Sequence, residues 1–169
     1  MNIQAKVISR EISEYLWRVE QTVSTAESCT AGLVAASLAA LPGASNYFRG
    51  GVVCYVDALK QQLLDVPEEV LAEKGAVSED VVRLMVQGAL KNLHSDYAIA
   101  VTGFAGPGGG PEAAVGTIYV AVGRAADDDI VVRELTGDDG REENVARATL
   151  TALQMLLEKL KNDFPLPEE

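Results

Sequence analysis

Histidine is nearly missing from this sequence: His94 is the single one among 169 residues. A Ser/His/Asp triad needs an imidazole beside its nucleophile, and His94, near the end of a predicted helix, is badly placed to supply it. Cysteine is almost as scarce. Cys29 and Cys54 are too few for a disulfide framework, and both sit in apolar sequence where a reduced thiol packs as a small hydrophobe, so a reducing cytosol is the expected setting. No His, Cys and carboxylate cluster has ligand spacing, and Asp127-Asp128-Asp129 reads as a solvated turn, so neither a metal nor a cofactor is expected.

Basic residues are in deficit too. The 14 Lys and Arg against 25 Asp and Glu give a net charge of -11, without the clustered cations that a nucleic-acid backbone requires. That balance excludes a nucleic-acid surface but still allows a local cationic pocket for one small anion. Long apolar runs are absent as well. Residues 28–48 carry no charge, yet their apolar heart covers only 32–41 before Pro42-Gly43, well short of the roughly 20 residues of a membrane span. Glu11 and Glu14 follow Arg10 where a signal segment would be apolar, so a cytoplasmic location is expected. No linker, repeat or low-complexity tract divides residues 1–169, which read as one domain with a frayed tail over 164–169.

What is present alternates between two periods. Ile8, Ile12, Tyr15, Leu16 and Val19 predict an opening amphipathic helix, and Thr22 to Thr25 a short strand followed by a helix from Thr30 to Pro42. Residues 52–56 predict a buried strand, Ala58 and Pro67 open short helices, and Ser78 is the predicted N-cap of a helix reaching Leu93. Strands are predicted over 97–102, 115–122 and 130–135, and a last helix from Arg141 with Val145, Thr149, Ala152, Leu153, Leu156, Leu157 and Leu160 on one side. This alternation predicts an α/β fold, a three-layer α/β/α sandwich with helices on both faces of the sheet.

Ser28, within Thr25-Ala26-Glu27-Ser28-Cys29-Thr30-Ala31-Gly32, falls at a predicted strand-to-helix junction, where unpaired backbone N–H groups can hold an oxyanion. Ser28 or Thr30 acting only as an N-cap is the plain alternative. With histidine excluded, a nucleophilic serine needs another base, and Lys60, five residues after Tyr55, is the nearest lysine. Tyr55 could relay the proton; equally, the two could be a core aromatic and a surface lysine. Cys29 is a rival nucleophile beside the same junction. The loop Thr102-Gly103-Phe104-Ala105-Gly106-Pro107-Gly108-Gly109-Gly110 can bring backbone N–H groups against a ligand or serve as a mobile connection, and it matches neither the Walker nor the dinucleotide fingerprint.

Taken in order, Ala26-Glu27-Ser28-Cys29-Thr30, Pro42-Gly43-Ala44-Ser45, Tyr55, Lys60, Gly75-Ala76-Val77-Ser78 and Thr102-Gly103-Phe104-Ala105-Gly106-Pro107 resemble the C-terminal domain of the competence/damage-inducible protein CinA over nearly the whole chain. The resemblance implies a mixed central sheet and a bacterial, stand-alone form. It also implies a nicotinamide-nucleotide amidohydrolase that converts nicotinamide mononucleotide to nicotinic acid mononucleotide and ammonia. On that resemblance Ser28 is the nucleophile, Lys60 the base and Tyr55 a proton relay, with helix-start N–H groups holding the oxyanion. Cys29, Thr30, Ser45, Thr102, Gly103, Ala105, Gly106 and Arg141 are then expected around the substrate. A second arginine found four residues after the Gly-Asp-Arg of many members is replaced here by Val145. A homo-oligomer, dimer or larger, is expected. A non-catalytic nucleotide-binding or assembly module is the alternative of a different class.

Overall fold

Runs of β-branched and small apolar residues alternate with segments whose apolar positions recur every three or four, and each run settles as the element its period favours. The computed structural model describes residues 3–165. The elements are α1 (Ile3–Arg18), β1 (Val23–Glu27), α2 (Leu33–Leu38), a single 3₁₀ turn (Ala44–Asn46), β2 (Phe48–Val53), α3 (Asp57–Leu64), α4 (Glu68–Lys74), α5 (Glu79–Leu93), β3 (Tyr97–Gly103), β4 (Ile118–Arg124), β5 (Ile130–Leu135) and α6 (Arg141–Asp163). The strands lie in the order β2-β1-β3-β4-β5. β1 is parallel to β2 and β3, whereas β4 runs antiparallel to β3 and β5, which makes the sheet mixed as expected.

The two faces of the sheet differ in bulk, because successive side chains on a strand point to opposite sides. Val23, Tyr97, Ile99, Val101, Ile118, Val120 and Val122 fill one face against α1, α2 and α6. Ala26, Ala98, Ala100 and Ala121 line the other, where α5 packs. Alanines let α5 settle close to the sheet. Gly88 of α5 meets the backbone of Leu64 at the end of α3, so a Cβ there would collide with main chain.

Several boundaries differ from the sequence expectations. The helix predicted from Thr30 starts only at Leu33, after a turn in which Ala31 and Gly32 have φ of 50° and 96°. The strand predicted as buried over 52–56 is an edge strand, Phe48–Val53, with alternating exposure, and Tyr55 lies in the turn beyond it. Its glycines are paired rather than leading in: Gly50 and Gly51 register with Ser24 and Thr25 of β1. The strand predicted from Val115 begins at Ile118, because Gly116 is held in a turn at φ 84° with its N–H on Phe104 O. Of the predicted frayed tail, Phe164 packs on the core with Arg124 over its ring, and residues 166–169 lie outside the described residues.

This topology fixes where a site can form. β1, β2 and β3 are parallel and end on one edge of the sheet. The crossover from β1 to β2 carries α2 on one face, while that from β2 to β3 carries α3, α4 and α5 on the other. Where the winding direction reverses, the connections splay apart and leave a crevice outside the carboxyl ends of the strands.

Candidate active site

The last residue of β1 is Glu27, fully buried. A carboxylate at zero exposure is tolerable only if its lone pairs are filled, and here they are. Oε2 accepts from Thr30 Oγ1 at 2.7 Å and from the N–H groups of Gly32 and Val34 at 3.0 and 3.1 Å, and Oε1 accepts from Ala35 N–H at 2.8 Å. Glu27 therefore caps α2, whose N-cap residue Gly32 has no side chain to do so. This corrects the expectation that helix-start N–H groups are open to an oxyanion. The N–H groups of Cys29 and Thr30, further back in the turn, are donated to no carbonyl or carboxylate among the described residues.

Ser28 follows at once, its own N–H on Val101 O of β3 at 2.9 Å. The end of β2 is pinned beside it by Cys54 N–H on Glu27 O at 2.8 Å. From β2 the chain turns into α3, and the fourth residue of that helix, Lys60, reaches back under the turn. Its Nζ lies 3.4 Å from Ser28 Oγ, 3.0 Å from Cys54 O and 3.6 Å from Asp57 Oδ1. Lys60 is only 2% exposed, so the surface-lysine alternative does not hold.

Tyr55 is half exposed. Its hydroxyl accepts from the Arg141 guanidinium at 2.6 Å and makes no hydrogen bond to Ser28 or Lys60 among the described residues. Arg141, the first residue of α6, also donates to Gly106 O at 2.7 Å. Both of its acceptors are neutral. No carboxylate among the described residues pairs with it, although the chain carries 25 acidic residues.

Ser28, Cys29, Tyr55, Lys60, Thr102, Gly103, Ala105, Gly106 and Arg141 line one cavity of about 430 Å³. Thr102 spends its hydroxyl hydrogen on Ala76 O at 2.8 Å, tying β3 to the turn ahead of α5. The glycine-rich loop is internally bonded rather than loose: Phe104 N–H reaches Thr117 O, Gly116 N–H reaches Phe104 O, and Gly110 N–H reaches Ala113 O. Two expected residues stand apart. Thr30 is buried with its hydroxyl on Glu27 and faces a neighbouring groove beside α6. Ser45 is exposed in the 3₁₀ turn before β2, at the opposite end of the parallel strands from the cavity. His94 caps the end of α5, also away from the cavity.

Cys29 reaches the cavity wall, but burial pushes its thiol up to about 12. A protonated thiol is a poor nucleophile, so the environment favours the hydroxyl beside it. Sequence reasoning missed three carboxylates. Asp57 and Glu112 line the cavity and Glu27 supports it from behind. Glu27 had a signal: it is the last charge before the uncharged stretch 28–48, at the end of a β-prone run. Asp57 and Glu112 had none, since only the folded turn and loop bring them to the cavity. Among the described residues no group of three or more His, Cys, Asp or Glu side chains could hold a metal ion.

With this geometry in place, comparisons with known proteins converge. The family model of the CinA C-terminal domain matches residues 5–160. A CinA-like protein of Parasynechococcus marenigrum is 55% identical over 108 residues, 63% of this chain and 26% of that relative. A CinA-like protein of a Mycobacterium species is 44% identical over 142 residues, 83% of this chain and 34% of the relative. The chain thus spans between a quarter and about a third of these relatives. Among solved structures, the competence/damage inducible protein CihA from Agrobacterium tumefaciens superposes with a TM-score of 0.90 at 36% identity, covering 94% of this chain and 96% of that one. A CinA superfamily protein from Klebsiella pneumoniae gives 0.89 at 33% identity, covering 96% and 99%.

Proposed function

Because this chain belongs to the CinA C-terminal domain family, we propose that it is an amide hydrolase that converts nicotinamide mononucleotide to nicotinic acid mononucleotide and ammonia through an ester on Ser28. One observation carries the reading: a serine hydroxyl stands 3.4 Å from the amine of a buried lysine, in a cavity that also holds an arginine without a carboxylate partner among the described residues.

The steps follow from these groups. Lys60 as a neutral amine takes the Ser28 proton while Oγ bonds to the carboxamide carbon. The resulting oxyanion is held by the N–H of Cys29, a donor at the cavity wall that Glu27 leaves free. The C–N bond then breaks as the Lys60 ammonium returns its proton to the departing nitrogen, which leaves as ammonia. Water, deprotonated by the same amine, hydrolyses the ester and restores Ser28. Arg141 takes the substrate phosphate, and Tyr55, held by Arg141, orients the ring rather than passing the proton. The reaction needs neither a metal nor a cofactor.

An ammonia-release assay tests this. Wild type should deamidate nicotinamide mononucleotide and Ser28→Ala should lose roughly 10⁴-fold or more in kcat. Equal release by the two proteins would end the reading. The alternative, a module that binds a nucleotide without turnover, is favoured by one observation: the Lys60 amine donates to Ser28 Oγ and Cys54 O and has the Asp57 carboxylate 3.6 Å away, a setting that suits a charged ammonium. Calorimetric binding with no ammonia release would select it. No described helix is long and apolar enough to cross a membrane. The expected cytoplasmic setting and homo-oligomer accompany the proposal, and sedimentation tests the second.

A further inference from the structure

Asn144 is an unusual residue for the first turns of a long helix, where asparagine is a weak helix former. It is nonetheless fully buried at that point in α6. Every hydrogen-bonding group of its amide is used. Nδ2 donates to Ala105 O at 3.0 Å and to Asp138 Oδ1 at 2.8 Å, and Oδ1 accepts from Asp139 N–H at 3.1 Å and from Arg147 at 3.4 Å. Asp138 Oδ1 also accepts from Gly140 N–H at 3.0 Å, and Arg147 donates to Gly137 O at 2.8 Å. The segment 137–140, which delivers Arg141, is therefore built around this one amide.

The same residue reaches across to the cavity wall. Asn144 holds the carbonyl of Ala105, and Arg141, three residues earlier and on the same side of the helix, holds the carbonyl of Gly106. Two neighbouring carbonyls of the glycine-rich loop are thus gripped by two side chains of α6. An anion entering the cavity competes with Gly106 O and the Tyr55 hydroxyl for the guanidinium. The loop stays docked through that exchange only if a second grip holds it.

We propose that Asn144 is the positioning residue that frees Arg141 to take a substrate phosphate, and so sets the preference for a phosphorylated substrate over its phosphate-free form; the phosphate part of this inference rests on the hydrolase reading above. In Asn144→Ala, kcat/KM for nicotinamide mononucleotide should fall about tenfold, nearly all of it in KM. For nicotinamide riboside, which lacks the phosphate, the change should stay within about twofold. Added to Arg141→Ala, the substitution should cost nothing further, because the two act as one unit. Asp138→Ala removes one partner from the exposed side and should show the same pattern more weakly, which keeps the test available if Asn144→Ala does not fold. An equal loss with both substrates, or additivity in the double variant, overturns the proposal. The Arg141 Nε–H resonance, assigned through its disappearance in Arg141→Lys, gives a readout without turnover: it should shift or broaden in Asn144→Ala or Asp138→Ala, and an unchanged signal overturns the proposal. If wild type fails to turn over the nucleotide, the hydrolase reading falls, while this resonance still decides whether Asn144 positions Arg141.

Discussion

Two lysines are buried among the described residues, at opposite ends of the sheet, and their surroundings differ in kind. Lys159 of α6, 5% exposed, lies 2.7 Å from Asp129 and 3.3 Å from Asp163, and Asp163 in turn accepts from the buried Tyr97 hydroxyl at 2.7 Å. Lys60 has a carbonyl, a hydroxyl and one half-exposed carboxylate at 3.6 Å. Burial pulls the Lys159 ammonium down, but its hydrogen bonds and charge pairing with Asp129 and Asp163 outweigh that, and the net shift is upward. A cation closed in by two carboxylates is a fastening, here joining the β4–β5 turn to the end of α6. A lysine facing a serine across an accessible cavity is placed to exchange a proton.

Exchanging each lysine for methionine separates the two roles. Lys60→Met should abolish ammonia release, by roughly 10³-fold or more, and leave the thermal midpoint unchanged or higher, since an apolar side chain avoids burying an amine. Lys159→Met should do the reverse, keeping kcat while costing about 2–4 kcal/mol of stability by urea unfolding, because Asp163 loses its nearer cation and keeps only Arg124 at 4.0 Å. If both variants lose activity and stability together, the distinction between fastening and chemistry is wrong.

The cysteines probe the cavity end alone. With its thiol pushed up to about 12 by burial, Cys29 should react with iodoacetamide at pH 8 roughly 10³-fold more slowly than a free thiol. Activity should therefore survive alkylation. Cys54, raised by burial as well, should behave in the same direction, and mass spectrometry of the intact native protein reads both.

The smallest expected effect lies in alkaline solution, at the fastening end. Lys159 is raised above its ordinary 10.5, and Tyr97 is raised by burial first and then by its bond to Asp163. Both groups bind their protons more tightly in the folded protein than in the unfolded chain, so their contribution is present below about pH 10 and is lost as pH rises above it. Urea midpoints measured from pH 8 to 11 should fall across the upper part of that range, and Lys159→Met should flatten the fall. A wild-type midpoint that rises with pH would contradict the assignment.

Much of this protein can be read along the chain because its elements are local. The period of α1, the Ser78 cap of α5, the strand Ile130–Leu135 and the start of α6 at Arg141 each follow from a short stretch of residues and match the structure. Ser28, Tyr55 and Lys60 were legible as candidates, and they do line one cavity. The partner of Tyr55 was not legible, since Arg141 lies 86 residues away and meets it only because α6 starts beside the end of β2. The late start of α2 was hidden for a similar reason. Thr30-Ala31-Gly32 run straight into an Ala- and Leu-rich stretch, but the carboxylate of Glu27 draws the N–H groups of Gly32, Val34 and Ala35 onto itself and sets the turn.

By itself, then, the order of residues determined the α/β class, the element sequence and a serine placed where a strand gives way to a helix. These depend on periodicity, capping and glycine placement, which act over a few residues. Three-dimensional packing alone brings the Lys60 amine to the Ser28 hydroxyl, pairs Arg141 with no carboxylate among the described residues, and sets Glu27 on the helix start which an oxyanion was expected to use. Each of those is a contact between segments brought to one edge by strand order and crossover direction, and its strength depends on burial and distance, which a linear sequence does not contain.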